Sequence, residues 1–245
     1  MHCMAIVLFT DFGANDLYAG QLEAALERAA PGVRVIHLLH EAPMFNPAAA
    51  AHLLAALAGV MPPGQVYLAV VDPGVGSERD AVAIEADGSW FVGPDNGLLS
   101  VVAARARALR PWRITHRPAA MSVSFHGRDL FAPVAAAIAR NGFPGDLVAP
   151  IDALAVSLGG DDLAEIIYVD HYGNAFTGLR ASGVPASQRL VALDREIAHG
   201  SVFAAVAPGV PFWYANSAGL AEIAVSGGNA ARLLSLGIGS PVRWA

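Results

Sequence analysis

The chain has 245 residues, 55% hydrophobic and 15% charged, so it folds around a real core as one large domain or two smaller ones and is not a disordered chain. Its 15 basic and 21 acidic residues leave a net charge of −6 with no basic run, which argues against nucleic acid and anionic membrane as partners. The single cysteine, Cys3, excludes an internal disulfide framework and a multi-Cys zinc site, and it fits a reducing, cytoplasmic compartment.

Met4 to Thr10 reads as a buried first strand, closed by Asp11-Phe12-Gly13. No charged leader precedes it, and no apolar stretch approaches a membrane span, so neither a signal peptide nor a transmembrane helix is expected. Asn15 or Asp16 can cap the next helix, in which Leu22, Ala25, Leu26 and Ala29 follow helical spacing until Pro31-Gly32 stops it. This places Asp11 and Asp16 at the carboxyl end of a strand. Two acids there suit ribose hydroxyls or an ammonium group, because carboxylates only accept hydrogen bonds; for Asp16 a plain helix cap is an equal reading.

Val33 to Leu39 is a second strand, flanked by His37 and His40, both read as structural or surface residues. Phe45-Asn46-Pro47 leads into an alanine-rich helix, about Ala48 to Ala58, ended by Pro62-Pro63-Gly64. Val66 to Val71 is a third strand. The order β-α-β-α-β implies mostly parallel strands. The loop after the third strand, Asp72-Pro73-Gly74-Val75-Gly76-Ser77-Glu78-Arg79, holds a carboxylate and a guanidinium on a glycine-rich turn where α/β sheets bind ligands.

Ala81 to Glu85 and Trp90 to Val92 read as a hairpin around Asp87-Gly88. Gly93-Pro94-Asp95-Asn96-Gly97 is a rigid polar turn before a helix expected from Leu98 to Leu109. Ser124 to Asp129 opens another helix, with Leu130, Val134 and Ile138 on one face and His126 on a Gly-flanked loop before it. Asn141 to Asp162 carries two Gly-rich turns and is the expected linker, dividing an α/β domain, 1–158, from a second domain, 159–245. Short β-rich pieces follow at Glu165–Val169, Ala175–Leu179, Arg189–Leu193, Val202–Val206, Phe212–Tyr214 and Leu220–Val225, with one helix between Asn229 and Leu236. That pattern predicts a small all-β, barrel-like domain. Its turn Asp170-His171-Tyr172-Gly173-Asn174 offers an amide for an adenine edge at Asn174 and aromatic faces at Tyr172 and Phe176.

Taken together, Thr10-Asp11-Phe12-Gly13, Val70 to Gly76, Gly93 to Gly97, Phe125-His126-Gly127-Arg128-Asp129, Asp170 to Asn174 and Asn216 to Val225 resemble the S-adenosylmethionine hydrolases. These are the adenosine-forming hydroxide adenosyltransferases, relatives of the fluorinating and chlorinating enzymes. The resemblance runs from Asp11 to about Val242 with its motifs in family order. It implies an N-terminal α/β domain, a smaller β-barrel-like domain, and a homotrimer with S-adenosylmethionine (SAM) bound between domains of neighbouring subunits. It implies no cofactor and no metal, SAM being the substrate.

Carried over by that resemblance, Asp72, Arg79 and His126 form the catalytic set. Asp11 is the ribose-hydroxyl ligand, Asp16 and Asp170 are partners of the methionine ammonium, and Ser217 contacts its carboxylate. Asn174, with the strand bearing Glu222 and Val225, is the adenine edge; Tyr172, Phe176 and Phe45 are stacking walls. His171, Ala218 and Phe45-Asn46 depart from the family pattern. The implied reaction is attack of water on the 5′ carbon of SAM in line with the sulfur, which leaves as a neutral thioether. A halogenase, a non-catalytic SAM binder and a metal-dependent hydrolase are the alternatives.

Overall fold

The computed structural model describes residues 4–245; Cys3 lies outside them. The chain divides into two compact units. One runs to Leu54 and resumes from Pro62 to Gly160; the other comprises Ala55–Met61 and Asp161–Ala245.

The β-α-β-α-β start is present as β1 (Ile6–Thr10), α1 (Leu17–Ala29), β2 (Val35–Leu39), α2 (Pro47–Val60) and β3 (Val66–Val70). These are followed by β4 (Ala81–Ala86), β5 (Ser89–Pro94), α3 (Ser100–Arg105), β6 (Leu109–Ile114), α4 (Ala132–Asn141) and β7 (Val148–Pro150). The seven-stranded sheet has the order β2-β1-β3-β5-β4-β6-β7. Pairings β1–β2, β1–β3 and β3–β5 are parallel, whereas β5–β4, β4–β6 and β6–β7 are antiparallel. The sheet is therefore mixed. It is parallel across β2-β1-β3-β5, and it turns antiparallel at the Asp87-Gly88 hairpin, whose two residues both have positive φ (49° and 83°).

α1 buries Ala19, Leu22, Ala25 and Leu26, and α4 buries Val134, Ile138 and their neighbours. Both faces join Ile6, Leu8, Val66 and Leu68 of the sheet in one core. The core fixes the strand ends from which the loops of the site depart.

One expectation is corrected here. The helix expected from Leu98 to Leu109 stops at Arg105, and Leu109 starts β6. The Asp87 carboxylate accepts from the backbone N–H groups of Arg107 and Ala108 and turns the chain there. Pro111 then excludes helix, and Trp112 stacks on Trp90 at 4.9 Å. The stretch from Asn141 to Asp162 contains β7, paired to β6, before the first unit ends at Gly160.

The second unit contains β8 (Leu163–Val169), β9 (Ala175–Arg180), β10 (Leu190–Ala192), β11 (Arg195–Ile197), β12 (Pro211–Ala215), β13 (Leu220–Val225), α5 (Ala230–Leu234) and β14 (Val242–Trp244). A four-stranded sheet, β12-β13-β9-β8, and a three-stranded sheet, β11-β10-β14, are antiparallel throughout. Two isolated bridges join their edges: Glu165 to Pro241 beside β8 and β14, and His199 to Trp213 beside β11 and β12. The strands thus close into a ring around Ile166, Trp213, Ile223 and Val242, which is the barrel-like form the sequence predicts.

The Val202–Val206 strand is not formed. An exposed 3₁₀ turn, Phe203–Ala205, takes its place, with the Phe203 ring against Phe212 and Tyr214. Apolar character there serves a local aromatic contact and not strand pairing. Among the described residues no helix is long and apolar enough to cross a membrane.

Candidate active site

The order β2-β1-β3 means that the chain steps to one side of β1 and then to the other. Ligands of open α/β sheets bind at such a reversal, outside the carboxyl ends of the strands. Asp11 leaves β1 there and Asp72 follows β3. Both line a cavity of about 90 Å³ together with Phe12, Phe45, Val75, Phe125 and His126.

The loop that begins at Asp72 folds back through Val75 N–H to Asp72 C=O (3.2 Å) and Ser77 N–H to Gly74 C=O (3.1 Å). Gly76 lies at φ +84°, and a Cβ there would stand 2.8 Å from the carbonyl oxygen of Val123. Only glycine brings this loop so close to the segment that carries His126. Arg79 is then held against Asp72: its Nε donates to Asp72 Oδ1 at 2.7 Å and its Nη2 to Oδ2. The pair is well buried, with side chains 4% (Asp72) and 10% (Arg79) exposed, and the guanidinium also lies 5.6 Å from the Phe131 ring centroid.

Arg79 Nη2 makes a third contact, 3.2 Å to His126 Nδ1. A guanidinium only donates, so Nδ1 accepts, and the neutral ring carries its hydrogen on Nε2. Burial, and next the Arg79 charge, hold the His126 imidazolium pKa below its ordinary value, which keeps the ring neutral. His126 precedes a five-residue π-helical turn, Gly127–Phe131, that leads into α4. Such turns recur at functional sites because they re-aim side chains. Asp129 anchors the approach by accepting from Ser122 N–H at 2.8 Å.

Asp11 has a different electrostatic setting. Burial, reinforced by the Asp72 charge, raises its pKa above the usual carboxylate range, partly offset by backbone N–H groups of Asp11 and Phe45. Phe45 has φ 56° and is 78% exposed, so its ring is presented and not packed. Asn46 caps α2 by accepting from Ala49 N–H at 3.0 Å. Asp16 is exposed and accepts from Leu17 N–H at 2.6 Å as the cap of α1. It does not line this cavity.

The second unit has its own cavity, about 760 Å³, lined by Asp170, Tyr172, Asn174, Phe176, Ser217, Glu222 and Val225. Every second-unit residue singled out from the sequence is brought together here. Asp170 Oδ1 accepts from the backbone N–H groups of Tyr172 (2.9 Å) and Asn174 (2.8 Å), and Oδ2 accepts from Asn174 Nδ2 at 3.0 Å. One N–H of the Asn174 amide is thus engaged, which leaves its second N–H and Oδ1 to pair with a ligand. Gly173 fixes the turn at φ +86°, where a Cβ would fall 2.0 Å from Asn229 Nδ2.

Glu222 is 2% exposed, and its oxygens accept from the Tyr214 hydroxyl and from Asn216 Nδ2 (3.0 Å). Burial raises its pKa, and these two donors partly offset the rise. Sequence reasoning named neither Tyr214 nor Asn216 as a site residue. The strand period was the available signal, because Tyr214 stands directly across the β12–β13 ladder from Glu222. Tyr172 is 75% exposed at the rim.

Residues 6–147 match the SAM hydroxide adenosyltransferase N-terminal domain, and residues 164–243 match the C-terminal domain of the same family. A Thermus thermophilus protein named (R)-S-adenosyl-L-methionine hydrolase is 38% identical, the alignment covering 97% of this chain and 98% of that protein. A Salinispora arenicola protein of the same name is 37% identical over 96% of this chain and 95% of its own. Among solved structures, an uncharacterized conserved protein from Thermotoga maritima superposes with a TM-score of 0.88 at 31% identity, covering 98% of this chain and 99% of that one.

Proposed function

The chain belongs to the SAM hydroxide adenosyltransferase family and hydrolyses SAM to adenosine and methionine, and from that premise we propose how its residues divide the work. The observation that carries the reading is the Asp72–Arg79–His126 contact at one cavity wall, with Asp11 on the same cavity.

Asp11 accepts hydrogen bonds from the ribose hydroxyls and so sets the 5′ carbon beside Asp72. His126 donates from Nε2 to the attacking water, while Arg79 holds both partners. As water attacks the 5′ carbon, its oxygen becomes positive and the C–S bond breaks, with the electron pair going to sulfur. Methionine leaves as a neutral thioether and needs no acid. Asp72 faces the developing oxonium charge and takes the proton. Because the nucleophile sheds its proton late, a carboxylate paired with a guanidinium suffices as base. Holding water and carbon in line supplies roughly 7 kcal/mol or more in favourable cases. The chemistry draws on no cofactor or metal. A fixed carboxylate beside the nucleophile position disfavours halide, which supports water over halogenation.

In the second unit, the Asn174 amide and the strand bearing Glu222 and Val225 form the adenine edge, with Phe176 and Tyr172 as faces. Asp170 and Asp16 take the methionine ammonium, Ser217 its carboxylate, and Phe45 is a stacking wall. Each cavity alone carries only part of what SAM needs. That supports a homotrimer in which units of neighbouring subunits share one substrate, and the one-cysteine composition supports a cytoplasmic setting. The relatives' name specifies the (R) sulfonium epimer, and the same preference is carried over here.

The test is turnover of separated (R) and (S) epimers in ¹⁸O-enriched water, with and without chloride or fluoride. Label in the 5′ hydroxyl of adenosine, unaffected by halide and faster from the (R) epimer, is expected. Unlabelled adenosine or a 5′-halo product would overturn the reading, and light scattering at the molar mass of a monomer would overturn the trimer.

A further inference from the structure

Outside the cavity residues, one polar array links its edge to solvent. Thr10 Oγ1 lies 2.8 Å from His40 Nδ1, His40 Nε2 lies 2.7 Å from His37 Nδ1, and His37 Nε2 lies 3.4 Å from Glu23 Oε2. Thr10 and His40 are buried, at 0% and 8% exposure, whereas the His37 and Glu23 side chains reach water, at 40% and 53%. The sequence suggests only structural or surface roles for the two histidines, yet they form a continuous chain.

Its polarity follows from the donors available. The Glu23 carboxylate, 3.4 Å from His37 Nε2, favours hydrogen on that atom. When His37 is neutral, its Nδ1 accepts, so His40 carries hydrogen on Nε2. His40 Nδ1 then accepts from the Thr10 hydroxyl, whose oxygen is left to accept from Phe12 N–H at 3.4 Å. Every bond runs one way. The array also clasps two loops: Gly13 N–H donates to the His40 carbonyl (2.7 Å) and Ala42 N–H to the Thr10 carbonyl (3.0 Å). Asp11 lies within the first loop, and a backbone N–H from Phe45, beyond the second, reaches its carboxylate.

We propose that Thr10, His40 and His37 are positioning residues that hold the Asp11 carboxylate for substrate, and that a proton taken up at the histidine pair weakens substrate binding. The inference rests on the reading of Asp11 as the ribose ligand. A proton added at His40 Nδ1 makes that atom a donor to Thr10 and turns the hydroxyl away. Glu23 on α1 is the charged group facing the pair, and it favours the added proton. Burial and the neighbouring His37 act against protonation of His40. The window therefore lies below the ordinary imidazole range, and binding is firm above it and loosened below it.

The experiment measures kcat and KM for SAM against pH in the full-length protein and in Thr10→Val, His40→Ala, His37→Asn and Asp11→Ala. Thr10→Val keeps the shape of the side chain and His37→Asn keeps an acceptor where Nδ1 stood, so both keep the test open if His40→Ala fails to fold. Thr10→Val and His40→Ala are expected to raise KM about tenfold with kcat within about twofold, as lost uniform binding does. His37→Asn is expected to move the rise of KM to higher pH, because His37 no longer acts against protonation of His40, while leaving the limb due to Asp11 itself. An unchanged KM in Thr10→Val, or an unaltered pH profile in His37→Asn, while Asp11→Ala raises KM, would overturn the relay and spare the ribose reading. An unchanged KM in Asp11→Ala would overturn both.

Discussion

The cavity of the first unit holds about 90 Å³ around an ion pair and a neutral histidine, whereas that of the second holds about 760 Å³ between aromatic rings and a buried Glu222. In the first, each guanidinium nitrogen of Arg79 has a partner and the space is small. In the second, the polar groups bond chiefly to one another: Asp170 to its own turn, Glu222 to Tyr214 and Asn216. On the proposed reading, the contrast separates chemistry from recognition: charge is fixed where bonds would change, and an apolar bowl is shaped where a purine would lie.

That division can be broken by kinetics. The largest effect expected is in Asp72→Ala, with kcat down about 10²–10⁴-fold and KM little changed. If turnover persists, the first cavity is not where chemistry occurs. Arg79→Ala leaves a buried carboxylate unpaired and is expected to cost about 3–5 kcal/mol of stability, read as a lowered denaturation midpoint. An unshifted midpoint would show that Asp72 finds another partner. Tyr214→Phe strips one donor from Glu222 and is expected to lose about 1–3 kcal/mol, appearing in KM with kcat preserved. Loss of kcat instead would erase the distinction between the cavities. The smallest effect is on pH. Because burial and Arg79 hold His126 below the ordinary imidazole range, kcat is expected to stay level as pH falls through 6.5 and to drop only at lower pH, where a protonated Nδ1 would face Arg79. An acid limb centred at or above 6.5 would assign that proton elsewhere.

Much of this was legible in the residues. Long apolar runs marked β1 and β3, and Asp87-Gly88 marked the hairpin, because period and turn chemistry act locally. Motif order led to Asp72, Arg79 and His126, and the structure brings them into contact. What escaped were short pieces whose state is set by partners far along the chain. β6 carries Pro111 and exposed arginines, and only its place between β4 and β7 makes it a strand. β11 and β14 have three residues each and are strands because β10 lies between them. Tyr214 and Asn216 read as strand and turn until the fold sets them against Glu222. The His40–His37 array escaped because its links span the turn after β2 and the end of β1, a register that only the parallel pairing creates.

The ring of strands in the second unit is closed at each of its two seams by a single bridging pair, Glu165–Pro241 and His199–Trp213. Elsewhere whole ladders must break before strands part. When the protein is heated, the seams are therefore where this unit first exposes unpaired backbone. Open edges of that kind recruit other chains. Loss on storage or warming would then be governed by how often a seam opens, and aggregation, rather than reversible unfolding, would set the useful lifetime.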